Sequence, residues 1–278
     1  MEVEDRIGEL GSTLTEAERR VAQVVLDRPQ LVAFGTVADL AAQAHAGAAT
    51  VLRFASKLRY DGFSALQASV QDDLANQLRP AAERIREPSG DDPLGRHLQV
   101  EIANVQATLA ALDPDAIADA VDHLARLDAR VFIISGDASR GVATQLAVDL
   151  GALRDDVALI DGNDIAVRRQ IALLRSTDVV ISLDLRRYER WVVDAARAAG
   201  EAGPWCLAVT DSVLSPLAQV AQRTFVVSAA AAGPFDSHVG TLALFNLLVA
   251  SVADRLRSVA TTRLDRLEAV WQQSLTDG

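Results

Sequence analysis

Apolar residues recur at helical spacing through the first 78 positions of the chain. Val21, Val24, Val25 and Leu26 form one inward stripe behind Thr15, which can cap the helix they belong to, and Pro29 closes that helix. Thr36 can cap a shorter helix whose Val37, Leu40 and Ala41 share a face, with Asp39 three residues on as the return partner of a capping box. His45-Ala46-Gly47 has turn composition. A further helix from Ala48 to about Arg59 then places Val51, Leu52, Ala55 and Leu58 inward and leaves Thr50, Arg53, Lys57 and Arg59 outside. Asp61-Gly62 breaks the pattern, and Phe63 to Leu78 reads as one more amphipathic helix. Two short helices joined by a tight turn, the second with a basic outer face, form the grammar of a helix-turn-helix DNA reader. That outer set suits phosphates and base edges.

The texture changes after Pro80 to Pro93, a stretch with three prolines, Ser89-Gly90 and Asp91-Asp92 that reads as a linker. Beyond it come five apolar runs separated by helical stretches: RVFIIS (130–135), VALID (157–161), DVVIS (178–182), WCLAVT (205–210) and RTFVV (223–227). Alternation of this kind predicts a five-stranded parallel sheet covered on both faces, a three-layer α/β/α sandwich. The expected layout is an all-α domain over 1–79, a linker over 80–95 and an α/β domain over 96–278. Ligands in such sheets sit beyond the carboxyl ends of the strands, so the residues that follow each run are the candidates for chemistry. Phe235 to about Gln273 is predicted as one long helical stretch, with Ser237-His238 at its start and an apolar excess that suits burial between helices or subunits.

Charge narrows the picture. The net charge is −11 and residues 1–80 are mildly acidic, so no broad basic surface attracts nucleic acid and any DNA affinity must come from a local patch. Lys57 is the only lysine; every other base is arginine. The single cysteine, Cys206, sits inside an apolar run and reads as a buried structural thiol. One cysteine and four scattered histidines offer no metal cluster, and no cofactor is expected. No apolar run approaches the roughly 20 residues of a membrane helix, so the expectation is a cytoplasmic protein with no membrane partner.

The two halves together resemble the RpiR family of bacterial transcriptional regulators, a helix-turn-helix domain followed by a sugar isomerase (SIS) domain. The likeness rests on Leu14-Thr15-Glu16-Ala17-Glu18-Arg19, Ala38-Asp39-Leu40-Ala41, Ala49-Thr50-Val51-Leu52-Arg53-Phe54 and Tyr60-Asp61-Gly62-Phe63. In the second half it rests on Thr210-Asp211-Ser212-Val213-Leu214-Ser215-Pro216-Leu217-Ala218. The resemblance implies a homodimer or higher homo-oligomer that binds operator DNA and senses a small polar effector, sugar or sugar-phosphate-like. The DNA-contact candidates are Thr36, Gly47, Ala49, Thr50, Arg53, Lys57 and Arg59. Gly47 stands where the family usually has a capping serine, and Arg59 where it usually has a turn glycine.

The ligand candidates are Ser135, Asp137, Ser139, Ser182, Asp184, Arg186, Arg187, Ser215, Ser237 and His238. The family's phosphate turns read here as Ser135-Gly136-Asp137-Ala138-Ser139 and as Ser182 to Tyr188. Asp137 and Asp184 replace a glycine and a serine, and a carboxylate beside a phosphate is repulsive in a low-dielectric cleft. Arg186 and Arg187 can hold an anion, or can pair with Asp137 and Asp184. Ser215, before Pro216, can equally cap a helical turn. Two alternatives stay open beside the regulator. One is a sugar-phosphate isomerase-type enzyme, which would need a base and an acid around the sugar carbons, although Glu189 is the only glutamate near a strand end and is followed by helix. The other is a metabolite-binding dimer that has lost DNA binding.

Overall fold

The computed structural model describes residues 3–10, 13–77, 81–86, 92–213 and 215–276. The chain divides into two compact units, Met1–Pro80 and Ala81–Gly278.

The first unit is helical throughout: α1 (Val3–Leu10), α2 (Glu16–Asp27), α3 (Pro29–Phe34), α4 (Val37–Gln43), α5 (Ala48–Lys57) and α6 (Gly62–Gln77). Both predicted caps form as reciprocal boxes. The Thr15 hydroxyl accepts from the Glu18 N–H while Glu18 accepts from the Thr15 N–H, and Thr36 and Asp39 do the same at α4. One core holds the bundle, centred on Val21, Leu40, Val51, Phe54, Leu58 and Leu66. Here α5 departs from the expected face. Its inward set is Thr50, Val51, Phe54, Ala55 and Leu58, and Leu52 is 45% exposed. The bulky Phe54 takes the centre of the stripe, and at 100° per residue that rotates Leu52 out and Thr50 in.

The second unit begins with α7 (Ala81–Arg84), α8 (Pro93–Ala110) and α9 (Pro114–Leu124). Of the predicted linker, Pro80 and residues 87–91 lie outside the described residues, as does Leu214. Pro93 to Gly95 are already helical, with Asp92 capping α8 through the Gly95 N–H. Five strands follow with their helices: β1 (Val131–Ser135), α10 (Arg140–Leu153), β2 (Val157–Leu159), α11 (Asp164–Ala172), β3 (Val179–Leu183), α12 (Arg190–Ala202), β4 (Trp205–Thr210) and β5 (Arg223–Val226). All pairings are parallel, in the order β2-β1-β3-β4-β5. Residues of alternating parity along each strand feed the two faces. Ile133, Ile181 and Leu207 pack under α10 and the helix α13 (Val239–Arg255), and Ile134, Val180 and Ala208 pack under α11 and α12. The three-layer sandwich is as expected.

The predicted single terminal helix is two. Helix α13 begins only at Val239, and after Leu256 the chain turns by 106° into α14 (Arg257–Thr276). Packing explains the break: Ala260 is buried in the core, and the Arg263 guanidinium donates to the Gly151 carbonyl at the end of α10. Among the described residues no single helix is long and apolar enough to cross a membrane.

Candidate DNA-reading helix and effector cleft

The turn between α4 and α5 is set by His45 at φ 46° and closed by the Ala46 N–H on the Ala41 carbonyl. Arg20 of α2 pins it, donating to the Ala44 and His45 carbonyls at 3.2 Å each. Gly47 precedes α5 in extended backbone with no side-chain cap, and a Cβ there would meet nothing within 4 Å. The outward face of α5 carries Ala49, Leu52, Arg53 and Ser56, all exposed. Leu52 and Ser56 were not among the sequence candidates, because the apolar stripe was placed one step too far round the helix.

The other candidates in this unit fall differently. Thr36 is exposed but its hydroxyl is engaged in the α4 cap. Thr50 is buried and its Oγ1 accepts from the Arg53 guanidinium at 3.3 Å, so its side chain faces the bundle rather than solvent. The Lys57 ammonium is tied to Glu18 of α2 at 2.6 Å. This contact and the bonds from Thr15 hold the Glu18 carboxyl down at about 2. Arg59 is exposed at φ 64°, the left-handed conformation that favours glycine.

In the second unit the carboxyl ends of β1 and β3 lie side by side where the sheet order reverses, the place at which this architecture receives ligands. Ser135 ends β1 and is buried. Gly136 follows, then a 3-10 turn, Asp137–Ser139, that leads into α10. Asp137 is exposed; Ser139 is 1% exposed and its hydroxyl has no partner. His238, just before α13, lies against the Ala138 backbone of the same turn, with Nδ1 buried and unpartnered. Burial holds its imidazole below the usual histidine range.

The loop after β3 is organised by carboxylates. Asp184 is 3% exposed and accepts the N–H groups of Leu185 (2.9 Å) and Glu189 (2.7 Å), while burial pushes its carboxyl up to about 6. Asp211 accepts the Arg186 N–H at 3.0 Å and the Tyr188 hydroxyl at 2.8 Å. Arg186, at φ 56°, pairs with Asp236 at 3.3 Å and donates to the Ala229 carbonyl. The expected neutralisation of Asp184 by Arg186 therefore does not occur: Asp184 is satisfied by backbone N–H groups, and the guanidinium is drawn to a different loop. Arg187 is exposed.

The remaining candidates are structural in position. Ser182 lies inside β3 and donates to the Leu207 carbonyl of β4 at 3.5 Å. The Ser215 hydroxyl accepts from the Ala218 N–H, which realises the capping alternative. Ser237 donates to Glu101 of α8 at 2.5 Å. The sequence candidates did not include Asp211 and Asp236, whose arginine and tyrosine partners lie far away in the chain, or Trp191, which meets Glu189 two positions off but reads as an ordinary apolar residue. A cleft of about 470 Å³ opens beside the β1 turn between α11 and α12, lined by Asp137, Arg140, Arg168, Arg190 and Trp191 over an apolar floor that includes Ile171 and Ala195. No group of three or more metal-ligating side chains occurs among the described residues.

A helix-turn-helix unit followed by a parallel sheet with a cleft at its switch point defines a two-domain transcriptional regulator with an SIS domain. Residues 1–77 match the helix-turn-helix domain of the rpiR family, and residues 123–251 match the SIS domain. The sugar isomerase domain of an RpiR transcription factor from Sphaerobacter thermophilus is 31% identical, with a TM-score of 0.60 over 64% of this chain and 99% of that one. An uncharacterised HTH-type transcriptional regulator of Haemophilus influenzae is 29% identical over 80% of this chain and 78% of its own. The chain belongs to the RpiR family. Across almost its full length it also shares the fold of the Vibrio vulnificus NanR protein, solved with ManNAc-6P (20% identity, TM-score 0.58, 96% and 97% covered).

Proposed function

We propose that the protein reads a pseudo-palindromic operator through Ala49, Leu52, Arg53 and Ser56 of α5, as a homodimer whose second unit senses a small sugar-like metabolite. The observation that carries the DNA reading is the outward face of α5: it is exposed to solvent while the opposite face is locked into the bundle core. Arg53 suits a guanine edge or a phosphate, and Leu52 suits a thymine methyl. Arg59 adds a phosphate contact at the end of the helix.

Self-association is supported by α8, whose Leu94, Leu98, Ile102 and Leu109 form a row of exposed apolar side chains. A two-fold dimer places half-sites about one helical turn, or a multiple of it, apart. The effector is of the sugar class by analogy with the ManNAc-6P complex of NanR, and the protein is a sensor rather than an isomerase. Glu189, which follows β3, is held by two protein donors instead of standing free to take a substrate proton.

Asp236 pairs with Arg186 of the β3 loop and with Arg84 of α7, and so ties that loop to the start of the second unit. A tenfold difference in effector affinity between two arrangements corresponds to about 1.4 kcal/mol, enough to change operator occupancy. Footprinting on the DNA flanking the gene tests the reading. Wild type is expected to protect two half-sites, and Arg53→Ala to weaken binding by at least tenfold. An Arg53→Ala footprint identical to wild type would show that α5 does not read DNA.

A further inference from the structure

The β1 turn offers backbone N–H groups at the start of α10, an arrangement that attracts anions. In this chain an anion is already there. The Glu189 carboxylate accepts the Asp137 N–H through Oε1 at 2.5 Å, and the Trp191 indole N–H holds Oε2 at 2.7 Å. A Cβ on Gly136 would lie 2.8 Å from Glu189 Oε1 and 2.7 Å from Asp184 Oδ1, so the two carboxylates fill the space over that peptide.

The cleft next to the turn is built consistently with this. Asp137 and Trp191, the two residues that bond Glu189, both line it. Each of its three arginines has an aspartate beside it: Arg140 with Asp161, Arg168 with Asp164, and Arg190 with Asp194, which also pairs with Arg197. A phosphate entering here would meet a carboxylate already on the Asp137 N–H, and guanidiniums that each have an aspartate beside them. Its two negative charges would be poorly compensated in a partly desolvated cleft. A neutral polyol meets no such penalty. Carboxylates accept its hydroxyls, guanidiniums donate to them, and the indole and the apolar floor cover its C–H faces.

We propose that Glu189 is the specificity-determining residue of the effector cleft: its carboxylate occupies the anion position of the β1 turn, so the cleft takes a neutral polyhydroxylated metabolite and excludes phosphate esters. This inference rests on the sensor reading of the second unit and narrows its effector class.

The test uses the full chain and inorganic phosphate as the probe, read by thermal shift and by calorimetric titration. Wild type is expected to show no saturable phosphate binding. Glu189→Ala empties the turn and is expected to acquire it, with half-saturation at least tenfold lower than any wild-type response. Glu189→Ser, which can cap α12, gives the same readout should the alanine variant fold poorly. Wild-type binding as tight as that of the variants, or no phosphate binding by any folded variant, overturns the proposal. So does a sugar phosphate that binds wild type more tightly than its parent sugar. No operator enters the measurement, so failure here is distinct from failure of the DNA-binding reading, which footprinting decides.

Discussion

The Lys57 ammonium lies 2.6 Å from the Glu18 carboxylate, and the only lysine of the chain is thereby joined to the capping box of α2. Glu18 is 3% exposed and receives the Thr15 N–H, the Thr15 hydroxyl and Lys57 together. The basic side chain at the end of α5 therefore fastens that helix to α2 and fixes the angle at which its outer face is presented. Replacing Lys57 strands a buried charge, and Lys57→Ala is expected to cost the first unit about 1–3 kcal/mol, measurable by chemical denaturation of residues 1–80 within the full chain.

The same pair sets an acid limit. The Glu18 carboxyl is held at about 2 against an ordinary 4.5, chiefly by Lys57 and then by the Thr15 backbone. A lowered folded-state value contributes stability that is present above the ordinary value and lost as pH falls toward the folded one. Far-ultraviolet circular dichroism should show the first unit losing stability between about pH 5 and pH 2, and Glu18→Gln should flatten that limb. An unchanged acid limb in the variant would assign the loss to other carboxylates.

At Arg59 two effects oppose each other. The left-handed backbone at φ 64° costs a non-glycine residue about 1 kcal/mol, whereas under the proposed DNA reading the exposed guanidinium meets a phosphate. Arg59→Gly should raise the melting temperature of the first unit by a few degrees and weaken operator binding, with the salt dependence reduced by about one charge. If both stability and affinity fall, the strain is compensated by a contact of the arginine side chain.

The split between what the sequence disclosed and what it did not follows from the range of the interactions. Thr15 with Glu18 and Thr36 with Asp39 are three residues apart, and the five strand cores are continuous apolar runs, so caps, strands and layer order were legible in local pattern. The rotation of α5 was not, because it depends on which of Leu52 and Phe54 the rest of the bundle has room to bury. The break at Leu256 has no proline or glycine to signal it and arises from packing against α10. The cleft was hardest. Asp184 was expected to seek an arginine and instead takes the N–H of Glu189, five residues on, while Arg186 finds Asp236 across 50 positions. Composition could place charges near one another there but could not decide the pairing.

Asp184 makes the second unit pH-sensitive in the opposite sense to Glu18. Burial raises its carboxyl from an ordinary 3.8 to about 6, so the folded state holds the proton more tightly. Stability is fully present below about pH 4 and is lost as pH rises through about 6, a change of about 2–3 kcal/mol. All three tryptophans, Trp191, Trp205 and Trp271, lie in this unit, so indole fluorescence follows it alone. Asp184→Asn should abolish the slope between pH 4 and pH 7. A slope that persists in the variant would trace the effect to another buried group, of which His238 is the first to substitute.

Asp236 meets both the β3 loop, through Arg186 at 3.3 Å, and helix α7, through Arg84 at 2.8 Å. Both arginines are mostly buried at these contacts, so the pairs are less screened than surface ion pairs and one cannot shift without disturbing the other. An effector that repositions the β3 loop would thereby alter the hold on α7. With Asp236→Ala the two arginines lose their common partner. Operator affinity without effector is expected to change by no more than about threefold, and the effector-dependent change in that affinity, ordinarily about 1–3 kcal/mol for coupled sites, should shrink toward zero. The measurement is operator titration at zero and saturating effector, in wild type and variant. A variant that keeps the full effector response would place the coupling elsewhere in the second unit and leave Asp236 with a purely local role.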